Sequence, residues 1–295
     1  MAETTGISWA DQTWSPWTGC AKVSPACDGC YAAHLMGTRM GRVEWGEPGV
    51  GEGTRSLMSD SYWRQPLSWD RAAAKAGTRP FVFPSLCDPF DTAVPAPWRW
   101  RFVELMEATP HLVWLLLTKR LGNVSKLTDP ARGERPLPEN VAFGGTFCNQ
   151  AEWDRDGSKL RDLAERFHPL FTFGSFEPLL GSIDFRGGWC PDWIVVGGES
   201  DQGAHKARPM HHVWVHSLHD QAVSRRAIFH LKQWGEWRHA PDRAHFKEAI
   251  REPWRRVESG MAGIRPAFMV KEGRRHTGRL LDGKLFDGRP EVRHA

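Results

Sequence analysis

Leu112-Val-Trp-Leu-Leu-Leu-Thr-Lys-Arg120 decides the fold class. Its first six residues are apolar without interruption, and its last three are polar or basic. An apolar run of this length, closed by charge, reads as a strand covered on both faces. Such strands belong to parallel sheets flanked by helices. The form recurs. Apolar runs at 81–84, 141–144, 170–173, 193–196 and 228–231 predict five more strands, and 98–108, 150–167 and 211–226 carry helical periodicity between them. Strand–helix alternation at this spacing predicts βαβ units. Six strands, with a short one before Cys20, predict an α/β fold: a complete or partial (β/α) barrel of parallel strands. A doubly wound open sheet is the alternative. The 295 residues suit one such barrel, which commonly takes about 250.

Five of the six predicted strands end in polar clusters: Ser85-Leu-Cys-Asp88, Thr118-Lys-Arg120, Gly144-Gly-Thr146, Ser175-Phe-Glu177 and Gly197-Gly-Glu-Ser200. Active sites of parallel α/β folds lie at the carboxyl ends of the strands. Five clusters so placed read as one site built from many loops. For any one Ser, Thr or Asp, capping of the next helix competes with ligand binding. The glycine-rich stretch 37–53 reads as a loop or lid, and no Gly-Lys-Ser/Thr closes it into a phosphate loop. From Glu236 onward the chain is Arg-rich and less periodic, so residues 1–235 are read as the barrel and 236–295 as an extension packed on it.

Cys20-x6-Cys27-x2-Cys30, within the loop 14–31, is the sharpest chemical signal. Three thiolates with no fourth close by suit a [4Fe-4S] cluster with one open iron site. The competing reading is structural zinc or a closed cluster, with Cys87, Cys148 or Cys190 as fourth ligand. His212 and His216, four apart on a predicted helix, have the spacing of a metal pair. Solvated helix residues are the expectation for them and for His205, His211 and His219.

Trp14-Ser-Pro-Trp-Thr-Gly-Cys20 through Cys27-Asp-Gly-Cys30-Tyr resembles the three-cysteine motif of a phage-associated family, usually labelled phage protein of unknown function and related to radical-SAM enzymes. Further blocks are similar: Phe83-Pro-Ser-Leu-Cys-Asp-Pro-Phe90, Leu117-Thr-Lys-Arg120, Ser175-Phe-Glu-Pro-Leu-Leu180, Trp193-Ile-Val-Val-Gly-Gly-Glu-Ser200, Ala207-Arg-Pro-Met210 and Lys232-Gln-Trp-Gly235. The resemblance spans roughly residues 7 to 290. It departs from the usual radical-SAM motif, which has three residues between the first two cysteines where this chain has six. The resemblance implies a barrel of the radical-SAM type, S-adenosyl-L-methionine as cofactor and an external electron donor. It implies Cys20, Cys27 and Cys30 as cluster ligands and an isomerase or lyase as the reaction class.

Under that reading the cofactor's ammonium needs a carboxylate. Gly197-Gly198-Glu199 resembles the Gly-Gly-Glu that serves radical-SAM enzymes, although it follows a late strand, and Asp88 and Glu177 compete with it. The cofactor's carboxylate needs a cation: Lys119, Arg120 or Lys232. Ser85, Thr118 and Ser175 are candidates for the ribose. Cys148, Glu177 and Lys232 are the catalytic candidates.

Lysine and arginine total 39 against 35 acidic residues, a net charge of +4, which permits a polyanionic partner. Arg–Trp interleaving, as in Trp98-Arg-Trp-Arg101 and Trp254-Arg-Arg256, suits phosphates and stacked bases, or an aromatic core face. The expected substrate is a nucleic acid base or modified nucleotide, for example an amino-acid adduct in phage thymidine hypermodification. The alternatives are a peptide or small metabolite, or a non-catalytic nucleic-acid-binding protein stabilised by its metal. Residues 1–12 hold no apolar stretch, so no signal peptide is expected, and the longest apolar run falls far short of the roughly 20 residues of a membrane span. The expected location is the cytoplasm, the host's if the chain is phage-encoded.

Overall fold

The apolar run at 112–117 forms the third strand of a seven-stranded parallel sheet. The computed structural model describes residues 5–240 and 254–292. The strands are β1 (Gln12–Thr13), β2 (Phe81–Phe83), β3 (Val113–Thr118), β4 (Val141–Thr146), β5 (Thr172–Phe176), β6 (Trp193–Gly197) and β7 (Ile228–Gln233). Their order across the sheet is their order in the chain, and every neighbouring pair is parallel. A doubly wound sheet reverses its strand order at a switch point, so that alternative is excluded. The sheet curls into a half barrel, and no pairing joins β1 to β7 among the described residues. Of the two barrel forms expected, the partial one is therefore found.

The connecting helices are α1 (Gln65–Ala76), α2 (Ala96–Glu107), α3 (Leu121–Leu127), α4 (Gln150–Phe167) and α5 (His212–Arg225). Alternation along β3 explains why its sequence is apolar throughout. Val113 and Leu115 join Trp9, Phe81, Phe173, Trp193 and Val195 in a cluster on the concave face. Trp114 and Leu116 point the other way, into a larger cluster with Phe102 and Met106 of α2, Leu160 of α4 and Trp214 of α5. With both faces covered, no position on the strand can be polar until the barrel mouth.

Residues 37–53 are not a plain loop. A π-helix (Ala33–Arg39) leads into an antiparallel hairpin, Trp45–Glu47 with Gly51–Gly53. Gly53 adopts φ +69°, and a Cβ there would stand 2.3 Å from the Glu44 carbonyl. Beyond β7, the C-terminal segment forms a small antiparallel sheet, β8 (Trp237–Ala240), β9 (Trp254–Val257) and β10 (Ala267–Lys271), with β10 central. The chain then returns to β7, where Leu231 donates to the Phe286 carbonyl at 2.8 Å and His230 bridges Asp287. The tail so covers an edge that would otherwise present unpaired backbone groups. Residues 1–4, and 241–253 and 293–295 of the expected extension, lie outside the described residues.

Two readings change here. Trp98-Arg-Trp-Arg101 is not a free basic surface: Arg99 is buried and donates to Glu134 at 2.5 Å, and Trp100 Nε1 donates to the same carboxylate. Arg101 lies over the Trp63 ring, 4.3 Å from its centroid, and pairs with Asp60. The histidines of α5 are not simply solvated either. His211 is buried, His212 stacks on His239 of β8 with centroids 3.6 Å apart, and His211 stacks on His212 at 4.8 Å. Among the described residues no helix is long and apolar enough to cross a membrane.

Candidate active site

Period-two alternation carries the concave face up to the barrel mouth, where it turns polar. The inward set of β3, Val113, Leu115 and Leu117, is continued by Lys119 just past the strand end. On β4 it ends at Thr146, on β5 it passes through Ser175 to Glu177, on β6 it ends at Gly197, and on β7 it reaches His230 and Lys232. Thr146 stands beside Ser175 in register. Glycines let this layer close: a Cβ at Gly144 would lie 2.3 Å from the Phe173 ring, and one at Gly197 would lie 2.9 Å from the Glu177 carboxyl carbon. Glu177 receives a hydrogen bond from Lys232 Nζ at 2.6 Å, so those two catalytic candidates neutralise one another. Among the described residues the buried Thr146 hydroxyl has no hydrogen-bond partner.

The cysteine loop lies against this mouth. It follows β1 through a short strand, Trp17–Thr18, and Gly19, which bridges Cys87. Gly19 adopts φ +104°, and a Cβ would meet the Thr54 carbonyl at 2.3 Å. Ser24 caps a 3-10 turn, Pro25–Cys27, by accepting from Ala26 N–H, and Cys30 N–H donates to the Cys27 carbonyl at 3.3 Å. Arg120 Nη1 donates to Cys20 Sγ at 3.2 Å and to Asp88 at 2.9 Å, while Nη2 donates to the Ala21 carbonyl at 2.8 Å. Burial, and then the Asp88 carboxylate, push the Cys20 thiol up to about 12, against the opposing pull of Arg120.

Lys119 links the three cysteines. Burial alone would lower its ammonium, but the nearby charges of Cys27, Cys30, Asp88 and Cys20 raise it instead. Among the described residues its Nζ has no hydrogen-bond or ion-pair partner. The other cationic candidates are engaged, Arg120 by Asp88 and Lys232 by Glu177. Among the described residues no three His, Cys, Asp or Glu side chains gather as they would around one metal ion.

Several candidates are committed to the protein itself. Asp88 accepts from Thr118 Oγ1 at 2.7 Å, from Phe90 N–H at 3.0 Å and from Lys119 N–H at 3.2 Å, besides Arg120. Asp88 and Thr118 thus brace the loops that follow β2 and β3, and neither caps the next helix, whose N-caps are Pro95 and Arg120. Ser85 falls in the turn after β2, one residue before Leu86, whose N–H donates to Ser15 Oγ. Glu199 accepts from Arg208 N–H, Nε and Nη2 at 2.8, 2.9 and 2.7 Å, and His205 Nε2 lies 3.1 Å away. Burial would raise its carboxyl, but Arg208 outweighs burial and holds it low. Gly198 is fixed by packing, since a Cβ would lie 1.9 Å from the Trp234 carbonyl. Glu199 is therefore an anchored carboxylate, not one open to an ammonium.

The remaining cysteines separate by place. Cys87 adjoins Cys20 through the Gly19 bridge, and burial raises its thiol well above the usual range. Cys148 is fully buried at the carboxyl end of β4, next to Ser24, and burial followed by a Glu152 hydrogen bond pushes its thiol up to about 12. It stays protonated at neutral pH, which suits a hydrogen donor and not a thiolate nucleophile. Cys190 precedes β6 near Asp192 and Arg225, at the opposite end of the barrel from the cysteine loop, and cannot complete a ligand set there. Sequence reading placed Thr146 in a polar cluster at a strand end without a particular role, and gave no role to Arg208. A hydroxyl ending an apolar strand signals the first; the second pairs with residues far away in the chain.

A family profile described as "Protein of unknown function (DUF5131)" matches residues 4–290. No curated protein and no solved structure matches the chain.

Proposed function

We propose, for a chain that belongs to the DUF5131 family of proteins of unknown function, that it is a radical S-adenosylmethionine enzyme acting on a nucleic acid base or nucleotide. The observation that carries the reading is the loop of Cys20, Cys27 and Cys30 set against the carboxyl mouth of a parallel half barrel, tied there by the Gly19–Cys87 bridge and by Arg120, with Lys119 near enough to feel the charge of its thiols. Lys119 is half-buried, and its ammonium, without a hydrogen-bond or ion-pair partner among the described residues, is best matched when an anion faces it. Three thiolates on a [4Fe-4S] cluster, or the carboxylate of S-adenosylmethionine beside it, supply that anion. The donor set fits: a cluster is a body of many atoms whose ligands stand apart, so it does not need the tight convergence of a single ion. When bound, the cluster would pass an electron from an external donor to the cofactor's sulfonium, and the resulting carbon–sulfur cleavage would supply a 5′-deoxyadenosyl radical.

The chain's own residues would do the rest. Cys20, Cys27 and Cys30 would hold the cluster. Lys119 would balance its charge and orient the cofactor's carboxylate. Thr146 and Ser175 would offer hydroxyls to the ribose, and the Thr146 hydroxyl has no other use. The aromatic floor of Phe81, Phe173 and Trp193 would keep water from the reacting carbon. Glu177 and Lys232, neutral as a pair, would line the substrate side. The net charge of +4 supports a polyanionic substrate.

Anaerobic reconstitution with iron and sulfide tests the proposal. The expected result is about four irons per chain and release of 5′-deoxyadenosine after reduction by dithionite with S-adenosylmethionine present. Bound zinc, or a cluster that never cleaves the cofactor, would overturn it.

A further inference from the structure

We propose that Arg208 is a positioning residue that fastens the cysteine loop to the carboxyl end of β6, with Glu199 as its anchor. The guanidinium faces two ways. Nε and Nη2 grip the buried Glu199 carboxylate at 2.9 and 2.7 Å. Nη1 reaches across to Asp28 at 3.0 Å, and Nη2 also donates to the Pro25 carbonyl at 2.9 Å. Asp28 and Pro25 belong to the loop that carries Cys27 and Cys30, 180 residues away in the chain.

Gly29 gives independent support. A Cβ on it would come within 2.7 Å of Glu199 Oε1 and 2.7 Å of His205 Cδ2. Its φ is not in the left-handed region, so the constraint is close approach and not backbone conformation. The loop is pressed onto the same carboxylate that Arg208 holds. Fixed charges point the same way. Glu199 and Asp28 are two anions bridged by one guanidinium, and without it the two carboxylates repel and one of them is left buried. Cys20 is held separately, by Arg120. Arg208 therefore governs two of the three thiols and leaves the third alone.

The docking is a property of the protein itself; only its purpose, to present Cys27 and Cys30 as cluster ligands, rests on the function proposed above. The test uses full-length, reduced, metal-free protein, alkylated with iodoacetamide and read thiol by thiol by mass spectrometry. In Arg208→Met, Cys27 and Cys30 should label at least about tenfold faster, the factor that a charge-assisted hydrogen bond is worth, while Cys20 and Cys87 keep their rates. Gly29→Ala should give the same pattern with no change of charge, and Arg208→Lys should fall in between. Unchanged labelling of Cys27 and Cys30 in Arg208→Met and Gly29→Ala would overturn the clamp, and so would equal acceleration of Cys20, Cys27, Cys30 and Cys87 in both variants. Iron content of the wild-type protein decides the cluster reading separately. If the cluster is present, its loss to a chelator should be faster in Arg208→Met than in wild type.

Discussion

Thr146 shows how a single residue can be spent on function. Its hydroxyl is buried at the barrel mouth without a partner, and an unsatisfied buried hydroxyl costs about 1–3 kcal/mol. Val has nearly the same shape and no hydroxyl. Thr146→Val should therefore keep or raise the melting temperature and weaken S-adenosylmethionine binding, as read by calorimetry on the reconstituted protein. Loss of stability with unchanged cofactor affinity would show that the hydroxyl serves packing instead. His230 shows the opposite case, a polar group fully explained by its neighbours. Arg279 Nη2 lies 3.2 Å from its Nε2 and can only donate, so Nε2 is the acceptor and the proton sits on Nδ1, facing the Gly288 carbonyl at 3.3 Å. Burial first, and then the Arg279 charge, lower this imidazole to about 4.

At the scale of elements, α4 begins in a reciprocal cap. Asn149 Oδ1 accepts from Glu152 N–H at 3.0 Å, and Glu152 Oε2 accepts from Cys148 N–H at 2.8 Å. This closes the turn between β4 and its helix and fixes the backbone that carries Cys148. Asn149→Ala should cost about 1 kcal/mol of stability, measured by urea unfolding; no change in the midpoint would mean that the turn is held by the Glu152 contact alone. Neither α1 nor α3 is among the helices expected from the sequence, but the other three are legible because each buries one stripe against the sheet: 150–167 agrees with α4 at both ends, and 98–108 and 211–226 agree with α2 and α5 to within two residues at either end. The Gly-rich hairpin at 45–53 is not, because its strands have no apolar alternation to reveal them. The histidines of α5 were misplaced because their partner, His239, lies on β8, in the segment read only as an extension.

For the whole molecule, these histidines couple the α5–β8 junction and the β7 edge to pH. Burial first, and then His239, His211 and His216, lower His212 to about 3; His211 and His239 are lowered by burial too. The unfolded chain takes up protons as pH falls through about 6.5, and the folded chain does not until it nears the lowered values. Stability should thus be full above pH 6.5 and fall progressively toward pH 4, by at most about 1.4 kcal/mol per pH unit for each histidine. Urea midpoints at pH 7.5, 6 and 5 check this; a midpoint that is flat or rises on acidification would contradict it. The sequence by itself determined the parallel α/β class, the number and place of the main strands and the three clustered cysteines. It could do so because a strand covered on both faces must be apolar throughout, and because thiols close in the chain are close in space. The tertiary structure alone decided that the sheet stays an open half barrel, that Lys119 keeps a free charge while Lys232 and Arg120 do not, and that Glu199 serves Arg208. Those outcomes depend on curvature and on pairings between residues as far apart as 180 positions, which leave no local pattern in the chain.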